Sequence, residues 1–297
     1  MIYDEISSNK RNSIILVSVF FVIIILLGYV IGAYLGSMIL GPIIAVIFSI
    51  IFILISYYTG DKLILSMSSA KEVSKKDQPY LVNTVEGLAI AAGIPTPKIY
   101  IIEDSAINAM ASGRDPKHAA ITVTSGAIKR LNREELEGVI GHEMSHVKNY
   151  DVRFMMLTVM LVGLIVLLSD LIFRMFWFGP RRSNEKGSGG ILLIILAIGL
   201  ILAILSPLIA QLLKLAVSRK REFLADANGA LLTRNPRGLA NALKKIRDDK
   251  EPLVEAANKS TAALFIENPL RKVGGKINSM FQSHPDINLR IQKLEKM

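Results

Sequence analysis

Long apolar runs alternate with polar blocks along the chain. Residues 12–60 carry no charged side chain, and this run is more than twice the roughly 20 residues that cross a hydrocarbon core. Glycines and a proline interrupt the run near its middle, so the pattern predicts two membrane helices, at 13–34 and 38–58. Two further apolar segments, at 154–178 and 191–213, complete an anchor of four predicted membrane helices.

Two of these segments leave alternatives open. A cleavable signal peptide is the alternative for the first, although its apolar run is long and no small-residue cleavage motif follows it. The third contains Asp170 and Arg174, which we interpret as a pair one turn apart at the interfacial end of the helix. Because the 179–190 linker carries basic residues that would face outside, a re-entrant hairpin is the alternative to two full crossings.

The polar blocks carry nearly all the basic side chains. With four crossings, the blocks at 61–153 and 215–297 lie on the same side of the membrane as the N-terminal tail. The net charge of +10 resides mainly in these regions. The positive-inside rule therefore places both blocks in the cytosol.

Local signals predict an α+β fold for the polar blocks, mainly helical with a small β-sheet. Residues 61–80 are expected to form a polar linker, overlapping the start of an amphipathic helix at 77–92 with Asp77 as N-cap and Gly93 as C-cap. Asn132 is the expected N-cap of a helix over 134–149. The other predicted elements are strands at 98–102, 106–111 and 119–124, helices near 214–232 and 236–248, a stretch of low order at 250–280, and a closing helix with Pro285 in its first turn.

The main chemical motif is His142-Glu143-Met144-Ser145-His146, an H-E-x-x-H pattern on the helix predicted over 134–149. Histidines four residues apart lie on one helix face, so both imidazoles can reach a single zinc ion. Glu143 lies about 100° round the helix, in position to act on a water molecule beside the metal. The chain has no cysteine, so His, Asp and Glu must supply every ligand. The alternative is a pair of surface histidines on an ordinary helix.

Catalytic zinc usually takes a third protein ligand, and the residues leave several candidates. Glu222 is the best carboxylate candidate. It lies about as far after the fourth apolar segment as His146 lies before the third, so a hairpin of these two segments would bring the two residues together. Asp226, one turn further on, could orient a ligand histidine. His284 and His118 are the histidine alternatives. A solvated acidic pair is the plainer interpretation of Glu222 and Asp226, and a solvated loop residue that of His118.

At these residues the chain resembles the HtpX subfamily of membrane zinc metallopeptidases, relatives of the CAAX prenyl endopeptidases, over essentially its whole length. The resemblance implies one zinc ion bound by His142, His146 and Glu222, with Glu143 as the catalytic carboxylate. It also implies a gluzincin-like fold and quality control of membrane proteins in a prokaryotic cell. The matching motifs are His142-Glu-Met-Ser-His146 followed by Asp151, Ser218-Arg-x-x-Glu222-Phe-x-Ala-Asp226, and Ser283-His284-Pro285 with Arg290.

Further roles around the metal are predicted, partly from the resemblance and partly from the chemistry that hydrolysis requires. Asn108-Ala109-Met110-Ala111 stands where the family has its Asn-Ala-Phe-Ala substrate edge strand, with methionine replacing the usual phenylalanine. His284 is the candidate oxyanion donor, positioned by Arg290, although a surface histidine at a helix start is its plainer interpretation. Asp151 and Asp226 are expected to support the ligands from behind.

We therefore expect four regions: an N-terminal transmembrane hairpin (1–60), the first part of a peptidase domain (61–153), a second transmembrane hairpin (154–213) and the rest of that domain (214–297). The expected activity is hydrolysis of membrane proteins or peptides by a multi-pass zinc endopeptidase whose active site faces the cytoplasm. Its expected partners are these substrates and the lipid bilayer, and the sequence does not fix its oligomeric state.

Three other functions are weighed against this one. A membrane-anchored zinc protein with a chaperone-like, non-proteolytic role could share every ligand, and Glu143 is the residue that favours the enzyme. A metal transporter is disfavoured because the histidine pair lies in a polar block. Nucleic-acid binding is disfavoured because the basic residues are scattered without aromatic platforms.

Overall fold

The computed structural model describes residues 2–34, 37–178, 219–249, 251, 264–266 and 285–297. Within them, two long apolar helices precede a soluble part in which helices pack against a small sheet. The helices and strands are α1 (Ile2–Tyr34), α2 (Leu40–Met67), β1 (Lys71–Glu72), α3 (Pro79–Ala92), β2 (Lys98–Ile102), β3 (Ala109–Gly113), β4 (Ala119–Thr124), α4 (Ser125–Arg130), α5 (Arg133–Lys148), α6 (Asp151–Phe178), α7 (Arg219–Thr233), α8 (Pro236–Asp248) and α9 (Ile287–Glu295).

Helices α1 and α2 form the predicted N-terminal hairpin. Two helical stretches of the described chain are long and apolar enough to cross a membrane, Ile6–Leu26 and Leu40–Met67. Large aliphatic side chains on their outer faces are exposed, among them Ile14 at 67% and Ile44 at 64%, as a hydrocarbon environment would favour. Both helices are longer than predicted. The polar linker expected at 61–80 was wrong, because α2 continues to Met67 and β1 follows.

Small residues bring the two helices into direct backbone contact. A Cβ atom added at Gly32 would lie 2.8 Å from the Cα atom of Gly41, and one added at Gly28 would lie 2.4 Å from the Cβ atom of Ala45. The small residues are spaced four apart on each helix, an arrangement that lets helices pack closely in membranes.

The sheet has four strands in the order β1-β2-β4-β3. Strand β2 is parallel to β4, and β3 is antiparallel to β4 at the edge of the sheet. The strands predicted at 98–102 and 119–124 are confirmed. The strand expected at 106–111 begins instead at Ala109, because side-chain hydrogen bonds hold the preceding residues in a turn. In that turn Ala106 N–H donates to Asp104 Oδ1 at 2.8 Å, and the Thr124 hydroxyl donates to Ala106 O at 2.6 Å.

Capping explains where the flanking helices begin and end. Asn132 is confirmed as the N-cap of α5, in a capping box where Asn132 and Glu135 each accept the other's backbone N–H. Gly93 is confirmed as the C-cap of α3, with φ at 69°. Asp77 is not the N-cap of α3. It accepts hydrogen bonds from Ser74 instead, and the helix begins at Pro79.

The C-terminal elements agree with the sequence except at one cap. Helices predicted near 214–232 and 236–248 are confirmed as α7 and α8 over their described residues. Pro285 lies before α9 and not in its first turn, because the Asp286 side chain caps the helix by accepting the Asn288 N–H at 2.7 Å. The third apolar segment lies within α6. The 179–190 linker, the fourth apolar segment at 191–213 and most of the 250–280 stretch lie outside the described residues.

Helix α5 is central to the soluble part. It packs against β3 and β4 on one side and against α7 and α8 on the other. Every residue from Gly138 to Val147 is buried, and the core around it includes Ile121 of β4 and Leu239 of α8. The H-E-x-x-H motif therefore lies in the interior, and the interpretation of its histidines as surface residues was wrong.

Candidate metal centre

The two motif histidines converge on one point. His142 and His146 are 1% and 5% exposed, and their Nε2 atoms lie 3.2 Å apart. Their spacing on α5 places both rings on the same face of the helix. Two imidazole nitrogens this close, aimed at the same space, can bind a common cation.

Glu222 supplies a third candidate ligand from α7. Its Oε1 lies 3.4 Å from His146 Nε2, and its Oε2 lies 3.7 Å from His142 Nε2. Ligands held about 2.0–2.1 Å from a tetrahedral zinc ion lie about 3.3 Å from one another, so the observed spacing fits such a site. This is the one group of three metal-ligating side chains found within the described residues.

Glycine packing explains how the distant glutamate reaches the histidines. A Cβ atom added at Gly229 would lie 2.8 Å from His142 N and 3.1 Å from Gly141 C, so α5 and α7 touch backbone to backbone. Glu222 precedes Gly229 by seven residues, about two helical turns, and so projects from the same face of α7. A glycine in mid-helix was the sequence signal for this close approach, and our reading of the sequence missed it.

A carboxylate lies behind each histidine. His142 Nδ1 is 2.9 Å from Asp226 Oδ1, and His146 Nδ1 is 2.9 Å from Asp151 Oδ2. When an imidazole is neutral, such a contact favours the proton on Nδ1 and leaves the Nε2 lone pair free to bind a metal. The structure thus places Asp151 and Asp226 where the sequence predicted supporting carboxylates.

Arg290 binds one of the two carboxylates that lie behind the histidines. It is fully buried and binds both oxygens of Asp226, through Nε at 2.9 Å and Nη2 at 2.7 Å. Its Nη1 donates to Ile266 O at 3.2 Å and lies 3.5 Å from Glu222 Oε2. His284, the residue it was predicted to position, lies outside the described residues.

The charges around the histidines set their protonation. Burial works to raise the pKa of Asp226, but Arg290 and the hydrogen bond from His142 lower it to about 2. Burial, together with the charge of Arg290, lowers the pKa of His142 despite its hydrogen bond to Asp226. Burial also opposes a charge on His146, but hydrogen bonds and charges from Asp151 and Glu222 raise its pKa well above the ordinary value. The pocket thus favours positive charge at the His146 side.

Buried charged groups surround the three candidate ligands. Four carboxylates and two guanidinium groups of the site are each less than a tenth exposed. Charges that are buried in proteins are normally paired or bound to metals. The carboxylates are Glu143, Asp151, Glu222 and Asp226, and the guanidinium groups are Arg221 and Arg290.

Three other predicted site residues lie in different surroundings: one beside the ligands, one at the surface and one next to the edge strand. Glu143 is 2% exposed, directly beside His142 on α5. His118 has a half-exposed side chain and pairs with Asp115 at 2.8 Å, so within the described chain it is a surface residue, unlike the ligand group. Asn108 precedes the edge strand β3, and its side-chain oxygen accepts the Ala109 N–H at 3.0 Å.

The outer side of β3 is not entirely open. Ile266 N–H donates to Ala109 O at 2.9 Å, and Phe265 lies opposite Met110 in an antiparallel bridge. The expected substrate strand is therefore at the edge of the sheet beside α5, but a segment of the same chain pairs with part of it.

The fold and this site define a metallopeptidase of the H-E-x-x-H class. The chain belongs to Peptidase family M48, whose sequence profile matches residues 75–297. The Protease HtpX homolog of Dictyoglomus thermophilum is 44% identical over 295 residues, covering 99% of this chain and 94% of the relative. The Protease HtpX homolog of Streptococcus pneumoniae strain ATCC BAA-255 / R6 is 42% identical over 302 residues, covering 100% of both chains.

The crystal structure of S. mikatae Ste24p has a related fold. The comparison gives a TM-score of 0.53 and 18% identity, and covers 99% of this chain and 67% of that one. Family membership and the two long apolar helices identify the protein as a membrane-associated metallopeptidase. The predicted family resemblance to HtpX proteases is confirmed.

Proposed function

We propose that the protein is a zinc endopeptidase in which His142, His146 and Glu222 hold the metal and Glu143 is the general base. The observation that carries this proposal is the convergence of three ligand atoms, all within 4.8 Å of one another, from two helices far apart in sequence. The spacing and the set of two imidazoles and one carboxylate fit zinc, whose common protein ligands are histidine nitrogen, carboxylate oxygen and thiolate sulfur.

The chain's own residues supply the proton transfers and the ligand geometry. A zinc ion held here would supply Lewis acidity towards the scissile carbonyl and the attacking water. Glu143 would take a proton from that water and deliver it to the leaving amine. Asp226 and Asp151 would hold the two imidazoles in orientation, and Arg290 would fix Asp226. We keep His284 as the proposed oxyanion donor.

We propose that substrates bind in extended form along the outer edge of β3. Backbone hydrogen bonds to an edge strand read the main chain of a peptide more than its side chains. Such a site suits unfolded segments of many sequences, which supports misfolded membrane proteins as the substrates and quality control as the role. Asn108, Ala109, Met110 and Ala111 are the residues that we assign to this contact.

We further propose a multi-pass anchor with the site at the cytoplasmic face. Only Asn149 and Tyr150 separate α5 from α6, so the metal ligands lie close to the start of a long apolar helix. Cations stack on tyrosines at this level: Lys10 Nζ lies 4.4 Å from the Tyr150 ring centre, and Arg153 Cζ lies 4.9 Å from it. Basic and aromatic side chains are typical of the cytoplasmic interface. The proposed anchor comprises α1, α2, α6 and the segment at 191–213.

Removal of the metal tests the proposal directly. We expect purified protein to contain about one zinc ion per chain, and chelation to abolish peptide hydrolysis until zinc is restored. The raised pKa of His146 means that a proton competes with zinc for that imidazole. Below that pKa, zinc affinity should fall about tenfold per pH unit, because binding must release the proton.

Zinc occupancy at a fixed free-zinc concentration, measured from about pH 8 down to about pH 6, checks the proton competition. Hydrolysis measured on the same samples should fall with occupancy. Hydrolysis that survives complete metal removal, or occupancy that does not change with pH, would contradict the assignment.

A further inference from the structure

A buried asparagine of the first long apolar helix reaches the metal site. Asn9 lies on α1 and is 1% exposed. Its side-chain N–H group donates to Asp151 Oδ1 and to Asn149 O, the latter at 3.0 Å. Its side-chain oxygen accepts a hydrogen bond from Arg221 Nη1 at 2.9 Å. One amide thus joins the end of α5, the start of α6 and the start of α7.

Each of these partners adjoins a proposed metal ligand. The other oxygen of Asp151 holds His146 Nδ1 at 2.9 Å, and Arg221 directly precedes Glu222. Asn149 is the C-cap of the helix that carries both histidines. Asn9 therefore touches the carboxylate that holds His146 and the residue that directly precedes Glu222, although it lies outside the 75–297 region that matches the family profile.

An amide is the side chain that suits this position. It offers N–H donors to the carboxylate of Asp151 and an oxygen acceptor to the guanidinium of Arg221, and it adds no charge. An apolar replacement would remove one partner from each of two buried charged groups, which costs more than the loss of an exposed hydrogen bond. An aspartate would keep the acceptor but lose the donor and face another carboxylate.

We propose that Asn9 is a positioning residue of the metal centre, through which packing of α1 fixes the orientation of His146 and Glu222. This inference rests on the proposed zinc site. Loss of groups that orient a ligand from behind typically costs 10- to 100-fold in metal affinity. Full zinc affinity would then require the N-terminal helix in place, as well as the peptidase domain.

The test compares the full chain with Asn9→Ala, Asn9→Asp and the matched control Asn12→Ala. Asn12 lies three residues further along α1, and its one described hydrogen bond is a 3.5 Å contact to Ser8. The zinc dissociation constant, from competition with a chromophoric chelator, should rise roughly 10- to 100-fold in both Asn9 variants. The absorption spectrum of the Co²⁺-substituted protein should change in parallel, whereas Asn12→Ala should match the parent protein.

The outcomes separate this proposal from the function on which it rests. Parental zinc affinity and an unchanged cobalt spectrum in both Asn9 variants would overturn the role of Asn9. Equal weakening in Asn12→Ala would also overturn it, because the effect would then belong to α1 stability in general. If Asn9→Ala fails to fold, the nearly isosteric Asn9→Asp decides. Absence of zinc binding in the parent protein would instead refute the proposed function.

A second observation concerns the segment Leu264–Ile266. Its three residues are buried, with Phe265 fully inaccessible and facing Met110. Ile266 pairs with the outward carbonyl of Ala109, and its own carbonyl accepts from Arg290 Nη1 at 3.2 Å. The segment therefore lies antiparallel to β3 and is tied to an arginine of the metal site.

We infer that Leu264–Ile266 competes with substrate for the outer edge of β3, and that it must leave before a peptide can pair there. This inference rests on the proposed substrate contact. An extended peptide at this edge would need the same Ala109 carbonyl, which the segment already uses. The pairing would thus restrain cleavage until a substrate displaces it.

The chain has no cysteine, so a single disulfide can test the inference. Met110 and Phe265 form a non-hydrogen-bonded antiparallel pair, in which Cα atoms lie about 4.5 Å apart, within the range that a disulfide spans. We expect Met110→Cys/Phe265→Cys, oxidised with oxidised glutathione, to cleave a model peptide at least about tenfold more slowly than the same protein after phosphine reduction. The zinc content should be unchanged.

Each single-cysteine variant receives the same oxidant as a control, and its own rate should be the same before and after phosphine reduction. Equal cleavage by the oxidised and reduced forms of the double variant would overturn the inference. Failure of the two thiols to pair would also overturn it, since the segment would not then lie on β3. Lack of cleavage by the parent protein would count against the proposed function instead.

Discussion

Glu143→Gln is expected to retain zinc and to lose peptide hydrolysis by roughly 100- to 10,000-fold, the usual contribution of a general base. Glutamine keeps the volume and one acceptor oxygen of the buried side chain but cannot accept the proton of the attacking water. Because Glu143 is not one of the three converging ligands, metal content should not change. Zinc analysis and initial rates on an unfolded membrane-protein substrate in detergent measure both properties on the same sample.

Glu137→Gln provides a matched control on α5. Glu137 faces outward and pairs with Arg133 one turn earlier, so its replacement should leave both zinc content and rate near the parent values. Hydrolysis retained in Glu143→Gln would rule out the assigned base. A variant that binds unfolded protein but no longer cleaves it would also separate proteolysis from the chaperone-like alternative.

Glu222→Ala is expected to abolish hydrolysis by removing the metal. Two histidines alone leave the site one ligand short of the three that catalytic zinc usually takes, and Arg290 loses the opposite charge that lies 3.5 Å from it. We expect zinc affinity to fall by about 100-fold or more, at least the effect of losing a group that only orients a ligand. Equilibrium dialysis against buffered zinc gives the affinity, and the rate should follow occupancy.

Leu231→Ala tests whether the effect is specific to the ligand position. Leu231 lies on the same helix α7 and is 74% exposed, so its truncation should leave the zinc affinity unchanged. If Glu222→Ala binds zinc like the parent, the third ligand has been misassigned. The histidine alternative His284 would then need the same test.

The metal centre was predictable where its signal was local. The spacing of His142 and His146 and the Asn132 capping box lie within one helix, and the structure shows both features. Glu222 required a topological argument, because it is far from the histidines in sequence. Asn9 gave no local signal, since its partners are 140 to 212 residues away and it lies among other polar residues at the start of α1.

The errors in the fold have a related origin. Residues 61–80 have the composition of a linker, yet Ile64 and Leu65 are buried against the soluble part, and that packing extends α2. Asp77 is a residue type that often caps helices, but its side chain accepts hydrogen bonds from the backbone N–H and the hydroxyl of Ser74 instead. In both cases the residue type was compatible with two local structures, and the contacts of the side chains decided between them.

The contact at Gly229 leaves little room for movement of the ligands at the proposed metal centre. Metal–ligand bond lengths vary by only about 0.2 Å between functional sites, whereas a single methyl group at Gly229 would meet the backbone of α5 at 2.8 Å. Any side chain there would push the two helices apart by more than the metal–ligand distances can vary. The reach of Glu222 is thus set by a residue that has no side chain and lies two turns away.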